Sequence, residues 1–168
     1  MISNSTSATS AAPRGGATVG LLTDLPALEA MAVRNLRHWF NGPDSRIALR
    51  QDLQAALGPV LGRQAYENFG RLCNFCVTEG RRPLVRHGMT CTCLGADENC
   101  FANLVGAAAH GEYEDANLFA ALIVQPQQAQ RATVLAAKIG LILDQLSDQT
   151  AGPAAHPAQL QPLSTTLH

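Results

Sequence analysis

The sequence predicts an all-α fold, a compact bundle of about six helices with a cysteine-containing loop between the third and fourth. Three observations lead there. Apolar residues recur at three- and four-residue spacing over most of the stretch from Asp24 to Leu146. Gly and Pro fall between these runs, at Gly42-Pro43, Gly58-Pro59, Gly111 and Pro126, as helix stops and starts do. No strand-type alternation extends beyond one short loop, and no internal repeat occurs.

The first helix carries Leu25, Leu28, Ala32, Leu36 and Trp39, with Asp24 as its expected cap and Asn41-Gly42-Pro43 as its stop. The second is expected from Asp44 to Leu57, with Leu49, Leu53 and Leu57 on one face. A third stripe, Leu61, Ala65, Phe69, Leu72 and Cys76, runs out near Gly80. From Arg81 to Ala96 the helical period disappears, and Pro83, Gly88 and Gly95 punctuate a structured loop or short extended segment. Asp97 is the expected N-cap of a fourth helix with Phe101, Leu104, Val105 and Ala108, closed by His110-Gly111. Glu112, Glu114 and Asp115 suit the positive end of a fifth helix, which continues through Leu118, Leu122 and Ile123. Pro126 opens the sixth, with Ala132, Leu135, Ile139, Ile142 and Leu146 at helical intervals. That helix also carries Val134, Leu141 and Leu143 off its stripe, so it is expected to be either central or part of a homodimer interface.

The domain expected is a single helical unit over 24–147, between a disordered, flexible N-terminal arm (1–23) rich in Ser, Thr, Ala and Gly and a disordered, proline-rich C-terminal tail (148–168). The 168 residues suit one domain, and 46% hydrophobic residues suffice for a core. Only 5% are aromatic, so Ala and Leu must supply most of that core. A net charge of −1 excludes a wholesale nucleic-acid binder. The charge is unevenly placed, however. Residues 24–88 hold nine Arg against six carboxylates, whereas the remainder after Gly88 holds two basic side chains against seven acidic ones. Packing of the two halves against each other accounts for this more simply than a basic functional face. No basic leader region and no apolar run of membrane-spanning length occurs, so a cytoplasmic protein with reduced thiols is expected.

The chemistry is concentrated in the cysteines. All five lie in a 28-residue window, as Cys73-x2-Cys76, a fourteen-residue gap containing His87, Cys91-x-Cys93, and Cys100. An odd number so confined does not read as a disulfide framework. Cys73 and Cys76 share a helix face, and Cys91 and Cys93 occupy a turn-permissive loop, so the four make a candidate tetrahedral zinc site. The competing set is His87, Cys91 and Cys93 with one of Cys73, Cys76 or Cys100; the four-cysteine set is preferred. Simple burial is a sufficient reading for Cys76 and Cys100, which sit on apolar helical faces, but explains Cys91 and Cys93 poorly. A metal would order a long loop and pin the third helix to the fourth. Arg71, Arg81, Arg82 and Arg86 are close enough in sequence to offset a four-thiolate site, Arg82 and Arg86 being preferred for this role. The same thiolates suit an iron–sulfur cluster, and a low-pKa thiol beside arginines suits a redox switch.

Other motifs carry less. Arg81-Arg82-Pro83-Leu84-Val85-Arg86-His87 reads as a solvated or metal-screening face without a nucleic-acid signature. Asp97-Glu98 reads as helix-start chemistry in preference to a catalytic pair. His38 and His110 read as structural, and His156 and His168 fall in the tail. No nucleophile elbow, P-loop, dinucleotide fingerprint or HExxH occurs. The expected function is a regulatory or protein-interaction module, not an enzyme, built on a structural zinc site and acting through a protein partner or homodimer. The alternative is a redox-active or redox-sensing protein using an iron–sulfur cluster or thiol switch. A weaker third reading is an oxidoreductase or hydrolase with an open metal position, where His87 and a water complete the shell.

Overall fold

A computed structural model describes residues 14–151 and gives the six helices that the periodicity predicts. They are α1 (Ala27–Phe40), α2 (Pro43–Leu57), α3 (Pro59–Thr78), α4 (Ala96–Ala109), α5 (Tyr113–Ile123) and α6 (Ala129–Ala151). Pro43 and Pro59 each take the first position of their helix, where a missing N–H costs nothing and the fixed φ already suits the helix. Pro126 opens a 3₁₀ turn, Pro126–Gln128, that leads into α6.

Helix α4 is the centre of the bundle and packs against α1, α5 and α6. It is buried on nearly every side, from Phe101 and Ala102 through Leu104 to Ala109, which only a helix apolar all round tolerates. The small side chains Ala102, Ala107, Ala108 and Ala109 make close packing around it possible. Leu36, Phe69, Leu72, Phe101, Leu104, Ile139 and Leu143 are wholly buried around this axis. Aromatic residues are few, but Trp39, Tyr66, Phe69 and Phe101 form a chain of ring contacts with centroids 5.3–6.5 Å apart, linking α1, α3 and α4. On α6, Leu143 joins the core, while Val134 and Leu141 stay more than half exposed. The role of central helix thus falls to α4.

Three local expectations need correction. The flexible arm expected over 1–23 is ordered from residue 14 onward. Arg14–Gly16 forms a 3₁₀ turn, and Thr18–Leu21 forms strand β1. This strand pairs antiparallel with β2 (Cys93–Gly95), in the register Thr18↔Gly95, Gly20↔Leu94 and Leu21↔Cys93. The Ala17 carbonyl also accepts from the Ala96 amide, and the Thr92 carbonyl accepts from the Leu22 amide. Backbone hydrogen bonds hold this segment, so its low hydrophobicity gave no warning of order. Second, Asp24 does not cap α1, whose N-cap is Pro26; the Asp24 carboxylate accepts from the Leu21 amide instead. Third, α6 continues to Ala151, four residues past the expected domain end. Residues 1–13 of the expected arm, and most of the expected tail with His156 and His168, lie outside the described residues. Among the described residues, no helix is long and apolar enough to cross a membrane.

Candidate functional site

The segment between α3 and α4 is tied down residue by residue. At its start, the Arg81 amide donates to the Ile123 carbonyl and the Gln125 amide to the Glu79 carbonyl, which fastens the end of α3 to the end of α5. Arg82 then meets Asp97 through two parallel hydrogen bonds of 2.7 and 2.6 Å, and the Val85 amide donates to the same carboxylate at 2.8 Å. Gly15 lies so close to this pair that a Cβ there would stand 2.1 Å from the Asp97 carboxylate, so the N-terminal turn covers it directly. Arg86 donates to the Phe40 carbonyl at the end of α1. Farther on, the Cys91 amide closes a turn onto the Gly88 carbonyl.

Beneath that turn lies Arg37 of α1, only 1% exposed. Its guanidinium uses all five N–H donors, the full inventory of the group. Two go to the Glu98 carboxylate, Nε to Oε1 at 2.7 Å and an η-nitrogen to Oε2 at 2.8 Å. The other three go to the carbonyls of Gly88, Cys91 and Cys93. Glu98, itself wholly buried, accepts in turn from the His87 amide at 3.0 Å and the Gly95 amide at 2.9 Å. Burial pushes the Glu98 carboxyl up, but the Arg37 hydrogen bonds and these two amides outweigh it and hold the group below the ordinary carboxylate range. One buried ion pair therefore fixes the backbone from His87 to Gly95. The N-terminal cap of α4 comes from the same group: Gly95 is the N-cap, and Glu98 reaches back to its amide. This corrects the capping role expected for Asp97, whose carboxylate is turned away toward Arg82 and Val85.

On this frame His87, Cys91 and Cys93 converge. Among the described residues, theirs is the one His/Cys/carboxylate group with three ligand atoms all within 4.8 Å of one another. His87 Nδ1 lies 3.8 Å from the Cys91 sulfur and 3.6 Å from the Cys93 sulfur. Its ring rests on Gly95, where a Cβ would come within 2.9 Å of the imidazole, and the buried Nε2 has no hydrogen-bond partner. Cys91 and Cys93 are both half-buried and joined by a disulfide. The sequence reading expects both as thiols.

The other cysteines lie elsewhere. Cys73 and Cys76 are buried on α3 within the hydrophobic core cluster and are not among the converging group. Burial pushes both thiols up, Cys76 to about 12, so neither is a thiolate near neutral pH. Cys100 is half-buried, and its thiol is raised by burial and by Asp97 against the opposing pull of Arg82. Of the preferred ligand set, the structure thus brings together Cys91 and Cys93, joins His87 to them, and places Cys73 and Cys76 apart. Arg82 and Arg86, expected near a metal, are engaged by Asp97 and by the Phe40 carbonyl. Sequence reasoning missed Arg37. Its position within the apolar run of α1, between Leu36 and Trp39, was the available signal, because an arginine on a buried helix face needs a partner.

No protein-family model, curated protein or solved structure matches the chain.

Proposed function

We propose that this all-α protein is a redox-responsive regulatory module whose working part is the Cys91–Cys93 pair. One observation carries the reading: the disulfide joins two half-buried cysteines only two residues apart, with an imidazole nitrogen near both sulfurs. Disulfides that serve stability close long loops, because they act on the entropy of the unfolded chain. A bridge over so short a loop restrains little, and here Arg37 and Glu98 already hold the backbone. Its value is then chemical. A thiolate from a small thiol attacks one sulfur to give a mixed disulfide, and a second thiol releases it. The protein gains two electrons and two protons as a dithiol, and the two small thiols leave as their disulfide. His87 Nδ1 is placed to exchange a proton with the sulfur that departs.

The readout belongs to the same loop. Arg37 holds the carbonyls of both cysteines, and Cys93 opens β2, so rearranging the sulfurs pulls on the β1–β2 pairing and on the start of α4. A regulator of this kind acts through a protein partner or a second copy of the chain. A cytoplasmic setting, where thiol pools keep the pair reduced until challenged, belongs to the same proposal.

The test is equilibration of the full chain in glutathione buffers from fully reducing to fully oxidising, followed by acid quench, alkylation and mass mapping of each cysteine. Cys91 and Cys93 are expected to lose and regain alkylation together over that range, while Cys73 and Cys76 do not change. A pair that stays dithiol in fully oxidised glutathione sinks the proposal.

A further inference from the structure

We infer that the dithiol form of this loop holds one zinc-type divalent cation, ligated by His87 Nδ1, Cys91 Sγ and Cys93 Sγ, with a fourth position open to water or an exogenous thiolate. This rests on the reading above only in requiring the pair to be reducible. Four features support it together.

The spacing already fits. Zinc binds sulfur at about 2.3 Å and nitrogen at about 2.0–2.1 Å, so ligand atoms at the corners of its tetrahedron stand roughly 3.5–3.8 Å apart. The two nitrogen–sulfur separations, 3.8 and 3.6 Å, are of that size, and only the sulfurs must part once their bond is reduced. The ring is also pre-oriented. Packing on Gly95 buries Nε2 and leaves Nδ1 toward the sulfurs, and the His87 amide is fixed by Glu98.

Charge favours this set as well. Two thiolates and a neutral imidazole cancel a divalent cation, whereas four thiolates leave an excess of about two negative charges. Of the neighbouring guanidiniums, Arg37 is neutralised by Glu98 and Arg82 by Asp97, while Arg86, held on the Phe40 carbonyl, keeps its charge. One such charge falls short of a four-thiolate excess, and a neutral three-ligand set needs none. Finally, Arg37 holds the Cys91 and Cys93 carbonyls from beneath, an outer shell that fixes the ligand-bearing backbone before any ion arrives. Three protein ligands on a half-exposed loop leave one position for solvent or a partner's thiolate, the pattern of exchangeable sites and not of closed structural ones.

Cobalt(II) is the probe, because thiolate ligation gives it charge-transfer absorption that zinc then abolishes by displacement. The full chain, reduced with a phosphine and exchanged into oxygen-free buffer, is expected to take up one equivalent with thiolate-type absorption. The disulfide form is expected to take up none. His87→Ala, and the double variant Cys91→Ser/Cys93→Ser, are expected to weaken binding at least about 100-fold, beyond the effect of losing an outer-shell group. His87→Gln serves as a second probe of that ligand if the alanine variant folds poorly, and Cys73→Ser is expected to keep the full stoichiometry. The inference is overturned if the reduced chain takes up no cobalt, if the double serine variant binds as tightly as the parent, or if Cys73→Ser abolishes binding. Absence of cobalt uptake by a chain whose pair still cycles in glutathione removes this site and leaves the redox reading intact.

Discussion

Two pairs of cysteines, closely similar in sequence spacing, occupy opposite chemical environments. Cys73 and Cys76 stand one helical turn apart on α3, sealed in an apolar core that keeps them protonated. Cys91 and Cys93 sit on a half-exposed loop over a buried ion pair, beside an imidazole. The difference lies in the surroundings and not in the spacing. Around the loop pair, α1 and α4 supply a polar frame that fixes the backbone, from positions 61 residues apart.

Breaking the frame is the largest effect expected. Arg37→Met or Glu98→Ala leaves its partner charged, buried and unpaired, which costs about 3–5 kcal/mol of folding stability. Denaturant melts of the single variants and of Arg37→Met/Glu98→Met measure it; the double is expected to lose less than the two singles combined. A loss of under about 1 kcal/mol in either single variant would mean that the ion pair does not hold the loop.

Acidification strains the same contact. The Glu98 carboxyl is held below its ordinary range in the fold, so the stability it contributes is present above that range and is lost as pH falls through the lowered folded value. Chemical melts from neutral to strongly acidic pH are expected to show this loss, and a smaller one in the double variant lacking both charges. Equal acid sensitivity in the two proteins would count against Glu98 as its origin.

Next in size is the core pair. Cys73→Ser places a hydroxyl in an apolar site and is expected to cost about 1–3 kcal/mol. High pH tests the same environment. Stability gained by keeping Cys76 a thiol is present below the ordinary thiol range and is lost as pH rises toward about 12. A serine variant as stable as the parent would show that Cys73 is not packed as described.

The smallest stability effect belongs to the loop pair. Cys91→Ser/Cys93→Ser removes a bridge closing a very short loop, and is expected to cost at most about 1–2 kcal/mol against roughly 3 for a fifteen-residue loop. The contrast is sharper in reactivity. After mild reduction, iodoacetamide at neutral pH is expected to label Cys91 and Cys93 in the native protein, and Cys73 and Cys76 only once it is unfolded. Equal labelling of all four before unfolding would erase the distinction between the pairs.

Much of this architecture can be read from the chain, and the reason is locality. Helical periodicity, Gly-Pro stops and Pro126 depend on neighbours within a turn or two, so six helices and the intervening loop are legible from Ala27 to Leu146. The uneven charge is legible too. Arg37 and Arg82 of the basic half meet Glu98 and Asp97 of the acidic half, in keeping with attraction between the halves as they pack. Strand β1 was not legible, because Thr18–Leu21 is mostly exposed and is held by backbone groups that every residue carries. Nor was the division of labour between Asp97 and Glu98, adjacent acids that differ only in which way each side chain turns from the first turn of α4.

The sequence alone determined a bundle of six helices with an alanine-rich core and a Cys-x-Cys in a glycine-bracketed loop, since each of these is set by contacts along the chain or by composition. Only the tertiary structure decided which cysteines meet His87, that Arg37 is the loop's anchor, and that Cys73 and Cys76 belong to the core. Those outcomes depend on where α1, α3 and α4 come to lie relative to one another. Burial turns an arginine and a glutamate remote in sequence into obligatory partners, and no local pattern records that.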